Sequence, residues 1–230
     1  MTKRNPQTMP LTDYHIEIEH ARLGLWHITE GEDFFLKKLP LSEADRAELK
    51  PLRGNRRLEW LAARYLVQVM TGWAYSLVKD VFGKPFLMGS EYHISVSHSG
   101  EYTAAIIAPH IVGIDIQLLT TKLEGMAWRV MNENKLKNLS NEKRSEHLHV
   151  YWGAKEALYK AYGQKELHFK KNILVEPFNY VGDEGFSHGT ILKENLKRDF
   201  DIFYKKIEQY ILVYAIEKDE SGQVPSAISR

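Results

Sequence analysis

Between Tyr151 and Gly163 the chain reads Tyr-Trp-Gly-Ala-Lys-Glu-Ala-Leu-Tyr-Lys-Ala-Tyr-Gly, and no other stretch constrains the fold so tightly. Tyr151, Ala154, Leu158 and Ala161 recur at helical spacing and fall on one face, which predicts a helix with a buried stripe. Glu156 and Lys160 lie one turn apart on the opposite side, with Trp152 one turn before Glu156. Gly163, just past the last apolar position, is the expected stop. A Glu and a Lys four apart on a helix are by themselves an ordinary surface ion pair worth about 0.2–0.5 kcal/mol. Their meaning depends on the rest of the chain.

With 230 residues, 43% of them apolar, the chain is long enough for one large domain or two small ones. A formal net charge of +1 speaks against a general nucleic-acid binder. The absence of cysteine rules out a disulfide framework and a thiolate metal site, and fits a reducing compartment. No apolar run approaches the ~18 residues of a membrane span, and the N-terminus has no apolar signal core. The expectation is a cytoplasmic protein that engages neither nucleic acid nor membrane.

In chain order, the first ten residues, with Pro6 and Pro10, read as an extended or frayed arm. Leu23 to Ile28 reads as a strand, and Ser42 as a helix start, with Glu43 too early to close a capping box. A longer helix is expected between Arg53 and Met70, with Leu58, Leu61, Ala62, Tyr65, Leu66 and Val69 as its buried stripe. Arg53, Arg56, Arg57 and Arg64 crowd its first half; they fit either a solvated face or a site for a phosphorylated ligand, since guanidinium matches phosphate in a bidentate fork. Gly83-Lys84-Pro85 reads as a turn holding the Lys84 ammonium outward.

The runs Tyr92–Ser97 and Tyr102–Ala108 predict a β-hairpin with Gly100 in its turn, which puts Ser97 and His98 at a strand end. In Ile111–Gln117, Val112, Ile114 and Ile116 share one face; Gly113, Asp115 and Gln117 share the other. Asp115 among β-branched residues needs a partner, either a buried ion pair or a hard cation approached together with Gln117. Leu123 to Leu139 is expected to be helical, and Phe169–Val175 to open a last set of strands continued at 189–193, 200–204 and 210–216. His147 and His149, two apart on a helix, face different ways and receive no role. Residues from Lys218 onward read as a hydrophilic tail.

Five segments now stand in order: Arg57-Leu-Glu-Trp-Leu-Ala-Ala-Arg64, Gly83-Lys84-Pro85, Ile94-Ser-Val-Ser-His98-Ser-Gly100, Gly113-Ile-Asp115-Ile and Trp152-Gly-Ala-Lys155-Glu156-Ala-Leu-Tyr-Lys160. Together they resemble the 4′-phosphopantetheinyl transferase superfamily, Sfp (surfactin-synthetase-activating) type. The resemblance implies an α+β fold of two similar lobes related by a pseudo-twofold, with the active site in the cleft between them. The division would fall as an N-terminal lobe 1–109, a C-terminal lobe 110–217 and a tail 218–230. It implies an enzyme, a holo-carrier-protein synthase. This would transfer the 4′-phosphopantetheine group of coenzyme A to a serine hydroxyl of an apo acyl or peptidyl carrier protein, with Mg²⁺, releasing adenosine 3′,5′-bisphosphate.

Carried over by position, Asp115 and Glu156 would bind Mg²⁺, with Gln117 standing where many relatives have a third carboxylate. Glu156, Lys160 and Asp115 would be catalytic, Glu156 taking the serine proton directly or through a water. Lys160 would hold a pyrophosphate oxygen, and Lys155 would also bind the coenzyme. Lys84, Ser97 and His98 would line the nucleotide pocket. Arg57, or in its place Arg56 or Arg64, would take the 3′-phosphate. A neutral amide at 117 predicts weaker Mg²⁺ binding through more waters, and Lys165 stands where a glycine is common. A monomer is expected, since two lobes complete one cleft. The alternative is a non-catalytic homologue that binds CoA or a carrier protein; another Mg²⁺-dependent nucleotide enzyme lacks support, as there is no Walker-type Gly-x-x-x-x-Gly-Lys-Ser/Thr.

Overall fold

The computed structural model describes residues 11–14, 20–129, 131, 136 and 138–218. The expected N-terminal arm and the tail beyond Lys218 lie outside the described residues. Within them the chain is α+β, with every strand pair antiparallel.

The first sheet has strand order β1-β2-β6-β5, from β1 (Leu11–Tyr14), β2 (Arg22–His27), β5 (His93–Ser99) and β6 (Tyr102–Ala108). Three helices pack beside it: α1 (Glu32–Lys38), α2 (Glu43–Leu49) and α3 (Gly54–Met70). The α3 stripe buries Leu61, Tyr65 and Leu66 against Trp26, Phe35, Ile94 and Ala105. Ser42 does cap α2 in a capping box, because Asp45 at the third helical position receives the Ser42 backbone N–H at 3.0 Å while its own N–H donates to Ser42 Oγ at 3.1 Å. The expectation of no box overlooked that a short carboxylate can take the place of Glu. The Gly83-Lys84-Pro85 turn joins a small hairpin, β3 (Leu77–Lys79) and β4 (Pro85–Leu87), and the Asp80 carboxylate closes it by accepting from the Phe82 and Lys84 N–H groups, both at 2.9 Å.

The second sheet has order β7-β11-β10-β9-β8, from β7 (Val112–Leu118), β8 (Ile173–Val175), β9 (Glu184–Lys193), β10 (Leu196–Ile207) and β11 (Tyr210–Glu217). A long helix, α4 (Arg144–Tyr162), lies on one face and buries Tyr151, Ala154, Leu158 and Ala161 with Phe200, Ile202 and Val213. It ends where the sequence predicts, on Gly163 in the left-handed conformation at φ 73°. Of the helix expected over Leu123–Leu139, the part up to Arg129 belongs to a 3-10 segment, Thr121–Arg129; residue 136 is helical, and residues 130, 132–135 and 137 lie outside the described residues. The strand expected from Phe169 begins only at Ile173, while β9 and β10 run longer than their apolar cores.

The other face of this sheet meets the first sheet: Leu23, Leu25, Ala104 and Ile106 pack against Ile114, Ile116, Leu212 and Ile216. Where the two sheets adjoin, edge strand β5 runs beside edge strand β7 without a backbone ladder. Instead Ser95, Ser97 and Ser99 Oγ accept the N–H groups of Ile114, Ile116 and Leu118, at 3.1, 3.2 and 3.1 Å. Every second residue of β5 thus supplies a hydroxyl to every second amide of β7, so buried donors at a sheet edge are satisfied by side chains. Sequence reading picked out Ser97 alone; the Ser-x-Ser-x-Ser alternation from 95 to 99 was the available signal.

Candidate active site

The odd-numbered face of β7 lies against α4. A Cβ built on Gly113 would sit 1.8 Å from the Ala157 carbonyl oxygen and 3.0 Å from the Ala161 nitrogen, so only glycine admits the helix this close to the strand. Two residues on, Asp115 meets Lys160: Nζ donates to Asp115 Oδ1 at 2.8 Å, to Ser97 Oγ at 2.8 Å and to the Ile114 carbonyl at 2.9 Å. Ser97 Oγ also donates to Asp115 Oδ1 at 3.1 Å. Asp115 and Ser97 are buried, and Lys160 is partly so.

Glu156, one turn before Lys160, completes the group. Its carboxyl is pushed up from the ordinary 4.5, first by burial and next by the Asp115 charge, with Lys160 opposing. Among the described residues it has no hydrogen-bond partner. Two carboxylates that feel each other in a water-poor place, beside one ammonium, form a donor set suited to a hard cation. No group of three or more His, Cys, Asp or Glu able to hold a metal occurs among the described residues. A pair of carboxylates nonetheless fits Mg²⁺, which keeps several waters and typically takes one or two carboxylates plus substrate phosphates. Gln117 is anchored to the helix, its Nε2 donating to the His149 carbonyl at 2.9 Å, which leaves only its amide oxygen for a cation.

Beside this group lies a cavity of about 300 Å³, walled by the Phe82–Pro85 turn, Ser95, Val96 and the end of α4 at Tyr159, Lys160 and Gly163. A second, of about 470 Å³, shares Pro85 and Val96 with it and carries Arg56, Glu59, Lys79 and His98. Neighbouring cavities lined by Lys84, Lys160 and Lys165 on one side and by Arg56, Lys79 and His98 on the other suit an extended polyanion.

Several sequence expectations are corrected by this geometry. Lys84 does not point outward: its ammonium donates to the Ala161 carbonyl at 2.6 Å, at the C-terminal end of α4 where a cation is favoured, and burial and then Arg198 lower its pKa. Its stem crosses Gly163, where a Cβ would lie 2.1 Å from Lys84 Cδ. Ser97 and His98 do not share one pocket, because successive strand residues face opposite ways; Ser97 faces β7, while His98 Nδ1 lies 3.1 Å from Glu59 on α3. Ser97 makes three bonds, the full capacity of a hydroxyl, and has none for a nucleotide.

Lys155 lies apart from the cleft. It is 3% exposed and donates to the Phe169 and Ile173 carbonyls, both at 2.5 Å, which pins the turn before β8 to α4. Arg64 is likewise engaged: it pairs with Asp45 at 2.9 Å and Glu48 at 3.3 Å, and its guanidinium stacks over Trp60 at 3.7 Å. Arg57 pairs with Glu32 at 2.5 Å and donates to the Leu49 carbonyl at 2.8 Å, tying α3 to α1 and α2. Arg53 donates to the Lys50 and Leu52 carbonyls. Among the described residues, Arg56 is the one arginine of the four with no acidic or carbonyl partner. The signal that would have separated them is the acidic run Glu32, Asp45 and Glu48 on the helices that α3 packs beside. His147 and His149 are buried and structural: Nδ1 of His147 accepts from the Ser140 N–H and Nε2 of His149 from the Thr120 N–H, both at 3.1 Å.

The Lys155 assignment has a direct check. Lys155→Met should destabilise the fold by about 2 kcal/mol, the range for hydrogen bonds made by a charged group, and leave the affinity for CoA unchanged by calorimetry. A large loss of CoA affinity in a variant of near-normal stability would return Lys155 to the ligand.

Two neighbouring carboxylates, a lysine paired with one of them and basic cavities alongside suit a phosphate-ester ligand. Residues 111–215 match the model of the 4′-phosphopantetheinyl transferase superfamily. The chain is also similar to the 4′-phosphopantetheinyl transferase gsp of Aneurinibacillus migulanus, with 27% identity over 179 residues that make up 76% of this chain and 69% of that protein. The segment 111–215, which matches that superfamily, carries Asp115, Glu156 and Lys160, and the model match and the relative together support a phosphopantetheinyl-transferring activity.

Proposed function

We propose that the chain moves the 4′-phosphopantetheine group of coenzyme A onto a serine hydroxyl of an apo acyl or peptidyl carrier protein. The observation that carries the reading is the meeting of Asp115 on β7 with Lys160 and Glu156 on α4 beside the basic cavities. The serine oxygen forms a bond to the β-phosphorus of CoA, the P–O bond to the leaving phosphate breaks, and adenosine 3′,5′-bisphosphate departs. Glu156 takes the serine proton; burial first and Asp115 next raise its affinity for one, the direction that favours a carboxylate acting as a general base. Asp115 and Glu156 would hold Mg²⁺, whose charge, when bound, offsets that of the pyrophosphate. We read 1–109 and 110–217 as two lobes, in keeping with β6 ending at Ala108 and β7 starting at Val112. All three central residues come from one chain, which supports a monomer. No helix among the described residues is long and apolar enough to cross a membrane, and a cytoplasmic place suits the proposed substrates.

The test is to incubate the protein with CoA, Mg²⁺ and a panel of apo carriers and to measure carrier mass. One added phosphopantetheine on a single serine is the expected result. CoA binding without transfer to any carrier would instead support the non-catalytic homologue.

For the 3′-phosphate the reading selects Arg56. Arg56→Ala should raise KM for CoA about tenfold, near the loss of one charge-assisted bond, with kcat and the KM for dephospho-CoA little changed. Arg57→Ala should lower Tm instead. Equal KM effects with both nucleotides would remove Arg56 from that phosphate.

A further inference from the structure

An ammonium has three N–H donors, and Lys160 uses all of them on Asp115 Oδ1, Ser97 Oγ and the Ile114 carbonyl. Ser97 is equally saturated, since it accepts from Lys160 and from the Ile116 N–H and donates to Asp115. In this arrangement neither residue has a donor for a phosphate oxygen. The same ammonium neutralises a buried carboxylate that would otherwise be costly to keep charged.

We propose that Lys160 is a resident counter-ion: in the ligand-free protein it holds the cation position at Asp115, and it turns to the phosphate ester only when a divalent ion relieves it. The proposal rests on the reading of Asp115 and Glu156 as the metal-holding pair. Two cations on one carboxylate repel each other, so Lys160 weakens uptake of a divalent ion in the absence of ligand. A polyanion that draws Lys160 away removes that opposition. A divalent ion at Asp115 in turn frees a Lys160 N–H for the anion. Linkage makes the effect reciprocal, so CoA and the divalent ion each tighten the other through Lys160. Ser97 keeps Lys160 and Asp115 in register during the exchange and is a positioning residue.

The experiment measures Mn²⁺ affinity by electron paramagnetic resonance, with and without CoA, in the wild type, Lys160→Gln and Lys160→Met. In the wild type CoA should tighten Mn²⁺ binding. In both variants Mn²⁺ alone should bind about tenfold more tightly than in the wild type, within the range usual for coupled sites, and the effect of CoA should shrink. Lys160→Met leaves the buried Asp115 charge without its counter-ion and costs stability, so thermal unfolding gives a second readout: Mn²⁺ should raise its Tm by more than it raises that of the wild type. Variants that bind Mn²⁺ alone no better than the wild type, and gain no extra Tm from it, overturn the competition while leaving the metal pair standing. A wild type that takes up no Mn²⁺ even with CoA overturns the metal reading and the competition with it.

Discussion

Glu156→Gln should lower the transfer rate by about 10²–10⁴-fold, the usual contribution of a general base, and at the same time make the ligand-free protein more stable at neutral pH. The two effects share a cause. Burial first, and Asp115 second, raise the Glu156 pKa in the folded state above its ordinary 4.5. A raised carboxyl favours folding fully below its unfolded value, and that contribution is lost as pH rises through the folded value. At neutral pH the ionised side chain therefore opposes folding, and a neutral amide of the same shape removes the opposition. A gain of about 0.5–2 kcal/mol is typical of such relief, or about 2–4 °C in Tm for each kcal/mol. The gain should fade as the pH falls toward 4.5, where the wild-type carboxyl is itself protonated. Thermal unfolding from pH 4 to 8, set beside the carrier-mass assay, checks both. A variant that is inactive but less stable at neutral pH would mean that Glu156 serves the fold.

The second large effect is at Gly113. Alanine there should destabilise the protein by about 3 kcal/mol, at the upper end for overpacking, because its Cβ meets the Ala157 carbonyl at 1.8 Å and backbone cannot rotate away. The helix must move off β7, and Lys160 and Glu156 move with it away from Asp115. Activity should therefore fall further than Tm alone explains, even well below the unfolding transition. Chemical denaturation and initial rates at a temperature where the variant is fully folded separate the two. Normal rates in the folded variant would show that the contact of strand and helix does not set the site.

What the sequence made legible were patterns with a period. The 3.6-residue stripe of α4 and its stop at Gly163, the hairpin of β5 and β6, and the alternating face of β7 all follow from local spacing. The residues Asp115, Glu156 and Lys160 were legible through the resemblance, and the fold brings them together. What a cation does was not legible. Lys155 and Lys160 are written in the same letter, one and a half turns apart on one helix. Yet the first reaches two carbonyls of the turn before β8, and the second reaches Asp115. Arg56 and Arg57 are adjacent, but only Arg57 faces Glu32. Such differences arise from partners distant in sequence, so the local pattern cannot carry them. The 3-10 segment after β7 belongs with these, since Gly125 and a broken stripe weaken α-helical periodicity without naming what replaces it.

The hydroxyl rungs of Ser95, Ser97 and Ser99 have a further consequence. Strands β5 and β7 each end a sheet, and each would otherwise offer strangers a raw margin of amides and carbonyls. Here each margin shuts the other. A polypeptide severed in the short link between Ala108 and Val112 would bare both at once, and its two fragments should clump with their own kind before they find each other again.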